Sequence, residues 1–129
     1  MIKKSLGQNF LRDHNIAKKI TNLILDYSKY NFIEIGPGTG FLTNYILKNK
    51  PKKLTLIEKD KDLFLNLDEK YKNNNIVSVY NHDALKSKII DNIAKPKIII
   101  SNLPYNISTQ VIINMLLKIN DYSGLYLMI

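Results

Sequence analysis

Three short segments carry residue types whose spacing could do chemistry. The first is Glu34-Ile35-Gly36-Pro37-Gly38-Thr39-Gly40, which follows an apolar run and opens a helical pattern. Glycines in such a turn adopt positive φ and let backbone approach a ligand, while a helix N-terminus offers free N–H groups. Glu58 ends the next apolar run, at the interval of roughly 20 residues where a doubly wound fold presents a carboxylate to ribose hydroxyls. Together they imply a nucleoside-containing cofactor. An ordinary tight turn would account for the glycines alone, and nicotinamide-dependent enzymes use a related loop. The Gly-Pro-Gly-Thr-Gly spacing differs from the G-x-G-x-x-G of pyrophosphate binders and is closer to a loop that cradles an amino-acid moiety.

The second segment, Asn81-His82-Asp83-Ala84, places another carboxylate after a strand-like run. Asp83 could accept a hydrogen bond from an adenine amine, or cap a helix that starts at Ala84. The third, Asn102-Leu103-Pro104-Tyr105, follows Ile98-Ile99-Ile100-Ser101. An amide oxygen on Asn102 and the Leu103 carbonyl could accept both hydrogens of an exocyclic amine, with Pro104 stiffening the turn and Tyr105 stacking on a planar base. An apolar strand ending in a plain Asn-x-Pro turn is the alternative. The glycine loop in register with it favours the base-binding reading.

The elements that must hold these segments follow from periodicity. Ile16, Ile20, Leu23, Ile24 and Tyr27 fall on one helical stripe, which predicts an amphipathic helix over Asn15 to Ser28 with that stripe in the core. Strand-length runs recur at Asn31–Ile35, Lys53–Ile57, Ile76–Tyr80, Lys97–Ser101 and Leu125–Ile129. Helical patterns separate them at Gly40–Lys48, Lys61–Tyr71, Lys86–Ala94 and Ser108–Lys118, with Ser108 and Thr109 as caps. The Lys-rich stretches at 48–53 and 70–75 read as solvated loops. Strand–helix alternation predicts an α/β fold, a parallel sheet with helices on both faces, whose ligands sit beyond the carboxyl ends of the strands. An end inside an apolar strand suggests a sheet truncated after its fifth strand.

Composition narrows the class. The 129 residues make one domain at most, without repeats or low-complexity tracts. There is no cysteine, which excludes a disulfide scaffold, a thiolate metal site and a cysteine nucleophile. The longest apolar runs, such as Leu125–Ile129, fall far short of the roughly 20 residues needed to span a bilayer. The N-terminus has no apolar secretory region, so a soluble, cytoplasmic protein without a membrane role is expected. Net charge is +8, yet only Arg12 among the basic residues is arginine, so basicity alone is weak evidence for a nucleic-acid partner. His14 and His82 are far apart, no metal-ligand cluster stands out, and no nucleophile-elbow motif supports a hydrolase.

Gly7-Gln8-Asn9-Phe10-Leu11, the Glu34–Gly40 segment and Asn102-Leu103-Pro104-Tyr105-Asn106-Ile107-Ser108 together resemble the signatures of the rRNA adenine dimethyltransferase family, colinear over essentially the whole chain. Gly7 and Leu103 are closer to its KsgA-type small-subunit branch than to the macrolide-resistance enzymes that act on large-subunit rRNA. The resemblance implies a Rossmann-like class I methyltransferase sheet, S-adenosylmethionine as donor, no metal, and rRNA of a small ribosomal subunit or its precursor as partner. Carried over by position, Asn9 and Leu11 would line the donor site, with Gln8 and Phe10 closing it. Gly36 would contact the donor through backbone, Glu58 its ribose, and Asp83 its adenine. Asn102 would lie between donor and target beside Leu103, Pro104 and Tyr105. Lys3, Lys4 and Arg12 become candidate phosphate contacts. Family members continue past the fifth strand with more sheet and a helical RNA-gripping domain. A nicotinamide oxidoreductase and a non-catalytic RNA-binding factor on the same fold are the competing readings.

Overall fold

A computed structural model describes residues 12–102 and 118–128, together with Gln110, Ile113 and Asn114. Its centre is a five-stranded parallel sheet of β1 (Asn31–Ile35), β2 (Lys53–Ile57), β3 (Val77–Tyr80), β4 (Lys97–Asn102) and β5 (Gly124–Met128), in the order β3-β2-β1-β4-β5. β1 and β4 are buried along nearly their whole length, as strands covered on both faces must be, which is why they read as continuous apolar runs.

Side chains of β1 alternate between two cores. Phe32 faces a large cluster with Leu54, Leu56, Ile98 and Ile100. Ile33 and Ile35 face a smaller one with Ile57, Ile90 and Ile99. Helices α1 (His14–Asn22), α2 (Phe41–Lys48) and α3 (Lys61–Tyr71) close the first face; the single turn α4 (Ile89–Asn92) lies on the second. Helix α3 starts where Asp60 Oδ1 accepts from Leu63 N–H at 3.0 Å, a side-chain cap that satisfies a free helix donor. Leu67 and Tyr71, one turn apart, are its buried positions.

Two expectations are corrected. The first helix ends at Asn22, six residues short of Ser28, and the chain then passes through Asp26 at φ 57° into a short 3-10 turn at Tyr27–Lys29. Its buried residues are Ala17 and Thr21, with Ile20 half-buried, whereas Ile16 is 42% and Leu23 70% exposed. Close approach to the rest of the fold selects small side chains on this face. Ile24 and Tyr27 of the predicted stripe are buried, but from the segment beyond the helix. The helix expected over Lys86–Ala94 contracts to α4 because Asp83 Oδ1 accepts from Leu85 N–H and Ser87 Oγ from Ile89 N–H. Such local side-chain bonds give the backbone turns in place of a helix ladder. Gln110, Ile113 and Asn114 are helical, as the expected Ser108–Lys118 pattern requires; Ser108 and Thr109 lie outside the described residues. Among the described residues no helix is long and apolar enough to cross a membrane.

These two faces make different demands. Phe32→Ala should destabilise the protein by about 3–5 kcal/mol, the range for emptying a buried aromatic site, while Leu23→Ser should stay within about 0.5 kcal/mol. Urea-unfolding midpoints of both variants measure this; a large loss for Leu23→Ser would restore the face that periodicity predicts.

Candidate active site

Parallel strands bring all their carboxyl ends to one edge. Beyond that edge lie the glycine loop after β1, Glu58 after β2, Asn81–Asp83 after β3, and Asn102 as the last residue of β4. The sheet order reverses between β1 and β4, the switch point beyond which ligands bind in sheets of this kind. Ser101 Oγ donates to the Ile35 carbonyl across this point and holds the two strand ends together.

The loop is shaped by positive φ. Gly36 sits at φ +67°, and a Cβ built there would meet nothing within 4 Å, so its backbone borders open space that a ligand can approach. Gly40, at φ +90°, is closed for a different reason: a Cβ would lie 3.0 Å from the Tyr71 hydroxyl and 3.3 Å from Lys70 Nζ. Tyr71 in turn donates to Asn44 Oδ1 at 2.7 Å, so α3 and α2 meet against the loop.

Glu58 is buried and fixed at both oxygens. Oε1 accepts from Gly38 N–H at 3.0 Å and Oε2 from Asp60 N–H at 2.9 Å. Burial raises its pKa, and these backbone donors, Asp60 before Gly38, oppose the rise. The carboxylate therefore belongs to the glycine loop as much as to β2. Asn81 extends the rim, its Nδ2 donating to the Glu58 and Lys59 carbonyls at 2.9 and 3.1 Å.

Asp83 closes a local turn, and no helix starts at Ala84 for it to cap. Oδ1 closes the turn to Leu85 N–H at 2.9 Å, and Oδ2 faces Lys59 Nζ at 3.6 Å. Asn102 is half-buried at the end of β4, opposite Met128 of β5. Asn9, Leu11, Gln8 and Phe10, and likewise Leu103, Pro104 and Tyr105, lie outside the described residues. The structure thus brings Gly36, Glu58, Asp83 and Asn102 to one edge of the sheet.

Sequence reasoning missed Glu34 as a site group, although it quoted the residue in the glycine motif. Glu34 is 2% exposed and accepts from Thr43 Oγ, in the first turn of α2, at 2.5 Å. Burial pushes its pKa up to about 8, against the hydroxyl's opposing effect and with some help from Glu58. A charged residue inside an otherwise apolar strand run was the available signal. Asp60 and Asn81 had no comparable mark, since capping and turn residues are common at such positions.

A parallel sheet in this order, a glycine loop after β1 and a loop-bound carboxylate after β2 define a class I methyltransferase sheet. The profile of the ribosomal RNA adenine dimethylase family matches residues 1–129, and the chain belongs to that family. It is 46% identical over 120 residues to a ribosomal RNA small subunit methyltransferase A of Pelagibacter ubique (strain HTCC1062), covering 92% of this chain and 44% of that protein. The protein of the same name from Anaplasma marginale (strain Florida) is 41% identical over 128 residues, covering 97% and 46%. The chain spans about half the length of the curated relatives it matches. Among solved structures, the 23S rRNA methyltransferase ErmE superposes with a TM-score of 0.75 at 27% identity, covering 88% of this chain and 45% of that one. A dimethyladenosine transferase from Plasmodium falciparum gives 0.69 at 29%, covering 84% and 38%.

Glu34 makes stability depend on pH. Its folded pKa of about 8 exceeds the ordinary 4.5, so between these values the folded state keeps a proton that the unfolded chain has lost. The stabilisation is complete below pH 4.5 and is lost as pH rises through 8, with a slope approaching about 1.4 kcal/mol per pH unit. Urea unfolding from pH 5 to pH 8 should show this fall, and Glu34→Gln should flatten that part of the profile.

Proposed function

We propose that this protein binds S-adenosylmethionine at the glycine loop and transfers methyl groups, twice per base, to adenine N6 of small-subunit ribosomal RNA. The observation that carries the reading is the shared rim: Glu58 is hydrogen-bonded to Gly38 N–H, and Gly36 beside it faces open space. That is the fit a nucleoside-linked amino acid requires, with backbone accessible at one end and a fixed carboxylate at the other.

S-adenosylmethionine supplies a methyl group on a sulfonium, already an activated leaving group, so the protein's task is positioning and polarisation. Gly36 would admit the donor to the backbone, Glu58 would accept from its ribose hydroxyls, and Asp83 would meet its adenine at the outer rim. Asn9 and Leu11 would close the site from the N-terminal segment. Asn102 would accept from the target amine with the Leu103 carbonyl, drawing the nitrogen lone pair toward the methyl group, while Pro104 stiffens that turn and Tyr105 stacks on the base. Residues 1–129 are, in this reading, the donor-binding part of the activity.

Two observations favour small-subunit rRNA over a large-subunit target. Relatives named for the small subunit reach 46% identity, against 27% for ErmE, and Gly7 and Leu103 match that branch. A ribosomal subunit or its precursor and a cytoplasmic location go with this substrate. The net charge of +8 suits a polyanionic partner.

Calorimetric titration should show binding of S-adenosylmethionine and none of NADH; the reverse preference would replace the methyltransferase reading with a nicotinamide one. Glu58→Ala should weaken donor binding by about tenfold or more, since it removes charged hydrogen-bond acceptance, and unchanged affinity would remove the ribose assignment. In the full-length protein Asn102→Ala should abolish rRNA methylation with donor affinity held within roughly tenfold, about 1.4 kcal/mol. Near-normal turnover would overturn its role at the amine.

A further inference from the structure

Helices α1 and α2 meet in a cleft that the proposed donor site does not use. It is lined by His14, Phe41, Asn44, Tyr45, Leu47 and Lys48 and holds about 540 Å³, within the roughly 300–1,000 Å³ of small-molecule sites. Three of the six are rings. His14 is exposed on α1, its ring centroid 4.8 Å from that of the half-buried Phe41 and 5.7 Å from that of Tyr45. Phe41 and Tyr45 stand one turn apart on α2 with centroids 5.6 Å apart, and the buried Tyr45 holds its hydroxyl against His14 Nδ1. Lys48 adds a cation, its Nζ 4.9 Å from the centroid of the Tyr45 ring. Among the described residues no carboxylate pairs with it. Asp13, the acid beside His14, accepts from the N–H groups of Asn15 and Ile16 as the cap of α1. Lys50, Lys52 and Lys53 follow Lys48 and are exposed as well.

Aromatic faces beside an ammonium that no described carboxylate neutralises suit single-stranded RNA, whose bases stack on rings while its phosphates meet lysines. A duplex keeps its bases stacked on one another and offers none. An apolar partner would bury the Lys48 ammonium without a counter-charge, a desolvation cost that a phosphate offsets. We propose that the cleft is an accessory RNA site, taking one unpaired nucleobase against His14 and Phe41 with Lys48 on an adjoining phosphate. The inference rests on the proposed RNA substrate and deepens it. Phe41 directly follows Gly40 of the loop, so the cleft begins at the root of the donor site, and Lys48 lies about 10 Å further along α2. A strand whose target base enters the donor site would be held at a second point, through a base that is not methylated.

The test is fluorescence anisotropy of the full-length protein with a labelled mixed-sequence RNA single strand of about 12 nucleotides, and with a hairpin of the same composition, as salt is raised. The single strand should bind more tightly than the hairpin. Lys48→Ala should lower the slope of log affinity against log salt by about 0.7, the loss of one phosphate contact, with S-adenosylmethionine affinity unchanged. Phe41→Leu fills a similar volume without a ring face, and should weaken single-strand binding by roughly fivefold or more while changing hairpin binding little. Should Phe41→Leu fail to fold, Lys48→Ala still decides, since it lies at an exposed helix end. With 4-thiouridine in the strand, photocrosslinks should map to the cleft. An unchanged slope in Lys48→Ala, equal loss with both RNAs, or crosslinks only elsewhere on the protein would each overturn the inference. Assay of rRNA methylation on the same samples keeps the two readings apart: turnover alongside those results would leave the proposed function standing, whereas cleft binding without turnover would support the RNA site and overturn the methyltransferase reading.

Discussion

The carboxylate of Glu58 joins three parts of the chain that the sheet alone would leave independent. One oxygen holds Gly38 of the loop after β1, the other holds the N–H of Asp60, and Asp60 then caps α3. The shape of the glycine loop, the end of β2 and the start of α3 are therefore set by one side chain. Tyr71 at the far end of α3 returns to the same loop, resting against Gly40 and donating to Asn44 of α2. The loop is thus held at Gly38 and at Gly40, while Gly36 remains open to a ligand. A buried acceptor without these donors would carry a desolvation cost of about 1–3 kcal/mol or more, so the loop and the carboxylate stabilise each other.

How α1 reaches this assembly explains its short length and small-residue face. His14 packs on Phe41 and Tyr45 at ring-centroid distances of 4.8 and 5.7 Å, and its Nδ1 is hydrogen-bonded to the Tyr45 hydroxyl. Phe41 is the first residue of α2, directly after Gly40. The ring cluster therefore fixes the start of α1, and with it Arg12 and Asp13, beside the helix that leaves the glycine loop. The Gly7–Leu11 motif ends just before this anchor in sequence. A signature at the N-terminus and another in the loop after β1 need such a bridge if one ligand is to meet both.

Legibility followed the physics of each segment. The inner strands β1, β2 and β4 were readable because burial on both faces leaves them rich in Ile and Leu, and across the sheet predicted and observed bounds differ by one residue at most among those described, as at Val77 and Asn102. Glycines at Gly36 and Gly40 were readable because the backbone conformation they adopt excludes most side chains. Helix α1 was misread because period alone cannot say which of two apolar stripes is small enough for close packing; Ala17 and Thr21 lie one place along from Ile16 and Ile20. The Asp83 turn was ambiguous in principle, since a carboxylate that caps backbone and one that binds an amine have the same residue type at the same place. Glu34 was visible as a letter, but its meaning required burial, which no local pattern encodes.

Charge is sorted along the sheet as well as between surface and core. Among the described residues the buried acidic and basic side chains are Glu34, Glu58, Asp60 and Lys97. The three acids stand at or beyond the carboxyl ends of β1 and β2, whereas Lys97 opens β4 at the opposite end, where Nζ donates to the Ile90 and Ile93 carbonyls at the close of α4. Yet the chain as a whole carries +8, through lysines such as Lys59, Lys72, Lys95 and Lys118 whose side chains are 48–63% exposed. An acidic interior at the ligand edge within a basic exterior suits two ligands of opposite charge: a cation taken into the crevice, where low dielectric strengthens its attraction to carboxylates, and a polyanion met at the surface, where salt screens the lysines and keeps that contact reversible. The proposed methyl donor, which bears a sulfonium, and the proposed RNA acceptor are such a pair. The arrangement would also separate the tasks of the proposed reaction, because a residue that tunes the buried carboxyls would change donor binding without altering the exposed lysines.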